Sequence, residues 1–163
     1  MREPTKIAVL VSGGGTNLQA LLDAEKDGLL VSGKITLVVS NKEGAYALER
    51  AKNAGVETAT VLKSVCGSQE AFEDALLALL QEKGIELILI KAPTNDWRYH
   101  WYDEWDAQIC DYAEQNGLAY YNFIPLCEEI GIDWETDTYD VGVHLNVYGA
   151  EKLTSYLGRL LVE

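Results

Sequence analysis

Residues 6–22 read KIAVLVSGGGTNLQALL, and the rest of the chain is organised around them. Ile7 to Val11, closed by Ser12, form an apolar run too short for an ordinary helix and of the length of a buried strand. Gly13, Gly14 and Gly15 follow at once. Glycine there turns the backbone sharply and brings its N–H groups close to whatever sits above the sheet, and Thr16 or Asn17 is placed to cap the next helix. Strand, turn and helix N-terminus together present unpaired N–H groups and partial positive charge, which favours an anion, typically a phosphate. Gly13, Gly14, Gly15, Thr16 and Asn17 are therefore the candidate phosphate-binding residues. The pattern is neither the dinucleotide fingerprint nor a Walker loop, and the same glycines also serve a plain strand-to-helix turn. No cofactor is expected.

Further along, the same alternation recurs. The sequence predicts a helix over 16–26, a β-branched strand over 34–40, a helix over 45–53 stopped by Gly55, and a weaker strand over 57–62. Ser68 caps a helix running to Lys83, with Phe72, Ala75, Leu76, Leu79 and Leu80 at helical spacing, and a fourth strand follows over 86–91. A helix closed by Gly117, a fifth strand over 118–123, an irregular acidic stretch and a final helix over 149–161 complete the chain. Alternating strands and helices imply right-handed crossovers and a parallel sheet. The expected fold is a single α/β domain, a Rossmann-like three-layer sandwich with a five-stranded parallel sheet in the order 3-2-1-4-5. A ligand is expected at the carboxyl ends of strands one and four, where the order reverses.

A formal charge of −13 argues against nucleic-acid or anionic-membrane partners, because the summed field repels both. Phosphate, sulfate or a phosphorylated small molecule at one local site is still allowed. Cys66, Cys110 and Cys127 are odd in number and lack a C-x-x-C pair, so neither a disulfide framework nor a metal site is indicated. No run approaches the ~18 apolar residues of a membrane span, and a soluble protein of the reducing cytoplasm is expected.

Composition breaks near residue 91. Nine Lys/Arg face twelve Asp/Glu up to Ile90, against four and fourteen beyond it, and all four tryptophans lie beyond it. Trp97, Trp101 and Trp105 recur every fourth residue, continued by Ile109 and Tyr112. Such a stripe is expected to pack on the sheet and a neighbouring helix, with a binding platform as the alternative. Aromatics left uncovered there would promote self-association.

Three segments, VLVSGGGTNLQALLDA (9–24), VVSNKEGAYALERAKNAGVET (38–58) and SQEAFEDALLALLQEKGIELI (68–88), together resemble the N-terminal half of glycinamide ribonucleotide transformylase, a folate-dependent enzyme of purine synthesis. The resemblance covers about residues 5–88. It implies that Gly15, Thr16 and Asn17 hold the phosphate of a ribonucleotide. The glycine-methionine loop, the Asn and His-Pro-Ser segment and the later Asp that carry formyl transfer in that family have no counterpart here.

The remainder, above all DVGVHLNVYG (140–149), resembles the C-terminal half of an SGNH (GDSL-type) hydrolase, over about residues 87–163. That resemblance implies ester hydrolysis with His144 as base, Asp140 behind it and a serine nucleophile. Ser12 is the candidate, with Thr16 beside it, but neither stands in a Gly-Asp-Ser motif, and Asp140 to His144 is one residue longer than the usual spacing. A hydrogen-bonded loop histidine without a nucleophile is the favoured reading of His144. His100 has no constellation around it. Two resemblances meeting inside one strand lead to the expectation of an engineered or recombined chimera without either parental activity, retaining anion binding at the glycine loop. A weak esterase and a phosphate- or nucleotide-binding module are the alternatives.

Overall fold

The computed structural model describes residues 3–95 and 101–161. The chain forms two compact units, Met1–Glu86 and Leu87–Glu163. The first begins with β1 (Thr5–Val11), α1 (Thr16–Lys26), β2 (Gly33–Ser40), α2 (Tyr46–Asn53) and β3 (Glu57–Thr60). It ends with a short α3 (Lys63–Cys66) and α4 (Gln69–Glu82). Its sheet is parallel, in the order β1-β2-β3.

β2 is the central strand, and Leu37, Val38, Val39 and Ser40 are all buried. A strand covered on both faces needs such an unbroken apolar run rather than alternation. On one face Leu18 and Leu22 of α1 and Ala47 and Ala51 of α2 pack with Ile35 and Val38, and Ile7, Val9 and Val11 close the cluster from β1. The small alanines let α2 lie close to α1 and the strands. The pairing of β1 with β2 slips by one residue between Ile7 and Ala8, which leaves Thr36 as the extra residue of a bulge. Nearby, the Ile35 N–H donates to the Glu25 carboxylate of α1 at 3.1 Å.

The second unit holds β4 (Ile88–Lys91), α5 (Tyr102–Asn116), β5 (Ala119–Asn122), a 3-10 turn (Ile124–Leu126), α6 (Cys127–Ile130) and α7 (Val147–Leu160). β4 and β5 pair in parallel as a sheet of their own. Phe123 is fully buried at the end of β5, edge-on to Tyr156 of α7.

The expected five-stranded sheet is therefore corrected to three strands in one unit and two in the other. The 3-2-1 and 4-5 neighbours form, but the 1-4 pairing of the expected order is not part of either sheet. Crossover logic sets the neighbours within each unit and says nothing of hydrogen bonding across the break. Among the described residues no helix is long and apolar enough to cross a membrane.

Candidate functional site

β1 delivers the glycine loop to the carboxyl edge of the first sheet, and α1 starts directly behind it. Gly15 is the residue flanking the helix, with φ +73°, and no side chain caps the helix. The expectation that Thr16 or Asn17 is the cap is thereby corrected, since both lie inside the first turn. A methyl on Gly15 would sit 2.6 Å from the Ala47 Cβ, so the position needs glycine both for its φ and for its space.

α2 forms the back wall of the loop. The Ala47 N–H donates to the Gly13 carbonyl at 3.1 Å. Arg50 Nε donates to the Gly14 carbonyl at 2.8 Å, and its Nη1 donates to Gln19 Oε1 of α1 at 2.9 Å. The guanidinium also lies 4.8 Å from the centre of the Tyr46 ring.

With the Gly13 and Gly14 carbonyls taken from behind, the Gly14 and Gly15 N–H groups have no protein acceptor among the described residues. Ser12, Thr16 and Asn17 are exposed around a cleft of roughly 300 Å³ lined by residues 9–18. A second, more apolar cleft of roughly 260 Å³ adjoins it through Leu10, Val11 and Ser12, with Val39, Asn41, Val61, Phe72 and Leu76 around it. Polar donors beside an apolar hollow at strand carboxyl ends suit a phosphorylated small molecule.

The other candidates lie in the second unit. His144 Nδ1 and Asp140 Oδ2 are 2.6 Å apart, and Asp140 Oδ1 also accepts from the His144 and Val143 N–H groups at 2.7 and 3.1 Å. The imidazole beside Asp140, and then the His144 N–H, hold its carboxyl below the ordinary carboxylate range. The pair is open to solvent, with the His144 side chain 75% exposed. Val141 beside it has φ +55°, a left-handed conformation uncommon for a β-branched residue. Ser12, the expected nucleophile, belongs to the first unit.

The expected stripe is covered only in part: Ile109 and Tyr112 are half-buried, whereas Trp101 is 74% exposed and Trp105 39%, with the Lys91 ammonium 4.0 Å from the Trp105 ring centre. Trp97 and His100 lie outside the described residues. Among the described residues no group of three or more His, Cys, Asp or Glu is placed to hold a metal ion.

Compared with known proteins, the sequence matches the family described as "Formyl transferase" over residues 5–92, more than half of the chain. The chain belongs to the formyl transferase family. This formyl transferase chain is 45% identical over 71 residues to the phosphoribosylglycinamide formyltransferase of Escherichia coli K12, covering 44% of the chain and 33% of that enzyme. It is 36% identical over 104 residues to the trifunctional purine biosynthetic protein adenosine-3 of Gallus gallus, covering 64% of the chain and 10% of that protein. Among solved structures, glycinamide ribonucleotide transformylase 1 from Symbiobacterium toebii superposes with a TM-score of 0.49 at 41% identity, covering 53% of this chain and 40% of that one. The formyl transferase chain thus spans between a tenth and a third of the two curated relatives.

These matches overturn the chimera. The family match runs to residue 92 and the avian alignment takes in 104 residues, more than the roughly 90 that precede the proposed seam. An inherited formyl transferase sequence therefore continues through the compositional break. The hydrolase-like half, the absence of parental activity, and the esterase and free-standing binding-module alternatives are withdrawn with it. What misled was local: DVGVHLNVYG does form an Asp-His pair, but such a pair needs only a tight loop and four residues of spacing.

Sequence reasoning found the loop and missed its back wall. Arg50 and Ala47 lie some thirty residues further on, and a lone arginine in a helix gives no signal. The available hint was the pair of alanines, Ala47 and Ala51, at one-turn spacing on a helix following a glycine loop.

Proposed function

We propose that the chain is a formyl transferase of the phosphoribosylglycinamide type, and that Gly13, Gly14, Gly15, Thr16 and Asn17 seat the phosphate of the phosphoribosyl substrate. The observation that carries this reading is the loop itself: two glycine carbonyls are bound from behind, and the adjoining N–H groups have no protein acceptor. The uncapped start of α1 adds partial positive charge, and the exposed Thr16 hydroxyl and Asn17 amide add donors. Identity of 45% with an enzyme named for phosphoribosylglycinamide supports the same substrate class. The neighbouring apolar cleft offers room for the sugar.

Calorimetric titration with phosphoribosylglycinamide and with its dephosphorylated riboside tests this. Phosphate hydrogen bonds are charge-assisted, so the riboside is expected to bind at least about tenfold more weakly. Equal binding of the two overturns the assignment of the loop. Formyl transfer is read on the same samples as formation of the N-formyl product from a formyltetrahydrofolate donor, and a chain that binds but yields no product overturns the transferase half of the reading.

A further inference from the structure

Resting on the proposed phosphate seat, we infer that Arg50 is a positioning residue that sets the direction of the loop's N–H groups, with no contact of its own to the ligand required. In a trans peptide the C=O of one residue and the N–H of the next point in opposite directions. Binding the Gly13 carbonyl to Ala47 therefore turns the Gly14 N–H away from α2, and binding the Gly14 carbonyl to Arg50 does the same for the Gly15 N–H. The second anchor matters more. A Cβ on Gly14 would meet nothing within 4 Å, so packing does not restrain that residue, and glycine itself resists few backbone rotations. Among the described residues Arg50 is the group that holds the Gly14 carbonyl.

Arg50 is in turn held in three ways. Its Nη1 reaches Gln19 on α1, its guanidinium carbon lies over the Tyr46 ring, and its own helix is tied to the loop by the Ala47 N–H bond to the Gly13 carbonyl. A planar, forked cation can satisfy two acceptors while stacking on an aromatic face. An ammonium is a compact point donor and cannot reproduce that arrangement. Lysine at this position keeps the charge and loses the geometry, and that difference separates positioning from simple attraction of an anion.

The test uses the full chain with Arg50→Ala, Arg50→Lys and Gln19→Leu, titrated with phosphoribosylglycinamide and with inorganic phosphate while backbone amides are followed by NMR. Losing one charge-assisted anchor is expected to weaken binding about tenfold in Arg50→Ala. Arg50→Lys is expected to resemble Arg50→Ala rather than the parent, and ethylguanidinium is expected to restore part of the loss in Arg50→Ala. In the ligand-free protein the Gly14 and Gly15 amide resonances should move in both Arg50 variants while those of Leu37 to Val39 stay in place. Gln19→Leu removes the Nη1 tether, together with an exposed hydrogen bond from Gln19 Nε2 to Asp23 on the same helix, and should lose a few-fold, which keeps the inference testable if the Arg50 variants fold poorly. Parental affinity in Arg50→Lys, or unmoved Gly14 and Gly15 resonances, overturns the role of Arg50 and leaves the phosphate seat standing. A parent protein that binds neither ligand overturns both.

Discussion

Gly15 concentrates two demands at one residue: a φ of +73° and a gap that Ala47 leaves no room to fill. An L side chain in the left-handed region costs about 1–2 kcal/mol, and the clash with Ala47 adds to it. Gly15→Ala is therefore expected to lower stability by about 2 kcal/mol or more in urea denaturation and to weaken phosphate binding, because the loop shifts against α2. Full retention of both would show that the loop adapts freely. At Asp140 the prediction is one of pH. Its carboxyl is depressed by His144, so the stabilisation it contributes is present above the ordinary carboxylate pKa and is lost as pH falls through the lower folded value. An NMR titration should place Asp140 below about 3.9, and His144→Ala should return it toward that value. An unchanged titration would remove the hydrogen bond as the cause. The glycine loop was legible from three adjacent letters. The arginine behind it was not, because its role exists only once α2 is folded against β1.

Elements were legible where periodicity was long. The helix expected over 16–26 forms as Thr16–Lys26, and Ser68 caps α4 as expected, its Oγ accepting the Ala71 N–H at 3.1 Å. Ser68→Ala should cost about 1 kcal/mol, measured as a fall in the denaturation midpoint. Element ends are less legible. The expected strand over 57–62 stops at Thr60, with α3 starting at Lys63, and the final helix begins at Val147 rather than Gly149. Asn146 caps that helix by accepting from the Tyr148 and Gly149 N–H groups. The acidic stretch before it is ordered by Asp137, a buried carboxylate that accepts from Lys152 Nζ at 2.6 Å and the Asp133 N–H at 2.8 Å. Charge counting could not anticipate that, since one of many acidic residues turns inward to meet a lysine fifteen positions on. Lys152, and then the Asp133 N–H, hold the Asp137 carboxyl below its usual range, so its contribution fades as pH falls below about 4. Lys152→Met should cost about 1–3 kcal/mol at neutral pH. It should also flatten the dependence of stability on pH below about 4, because the folded pKa of Asp137 rises toward its unfolded value. A variant as acid-sensitive as the parent would assign that sensitivity to other carboxylates.

At the scale of the whole chain, the compositional break near residue 91 is real, and its reading as a junction of unrelated proteins was not. Net charge and aromatic content report how a surface is solvated, and two parts of one inherited sequence can differ in both. The fold responds to the same place in another way, with separate sheets and compact units dividing at Glu86 and Leu87. All four tryptophans lie in the second unit, so their fluorescence reports that unit, while β2 amides report the first. Phosphoribosylglycinamide bound only to the folded loop at a hundred times its Kd should add about 2.7 kcal/mol to the first unit. Hydrogen exchange at Leu37, Val38 and Val39 should then slow about a hundredfold where it proceeds by unfolding of that unit. The tryptophan transition in urea should not move. A tryptophan midpoint that rises with the ligand by the same free energy would mean that the two units unfold as one cooperative structure, because the free energy of binding at the glycine loop is then shared by every residue that unfolds with it.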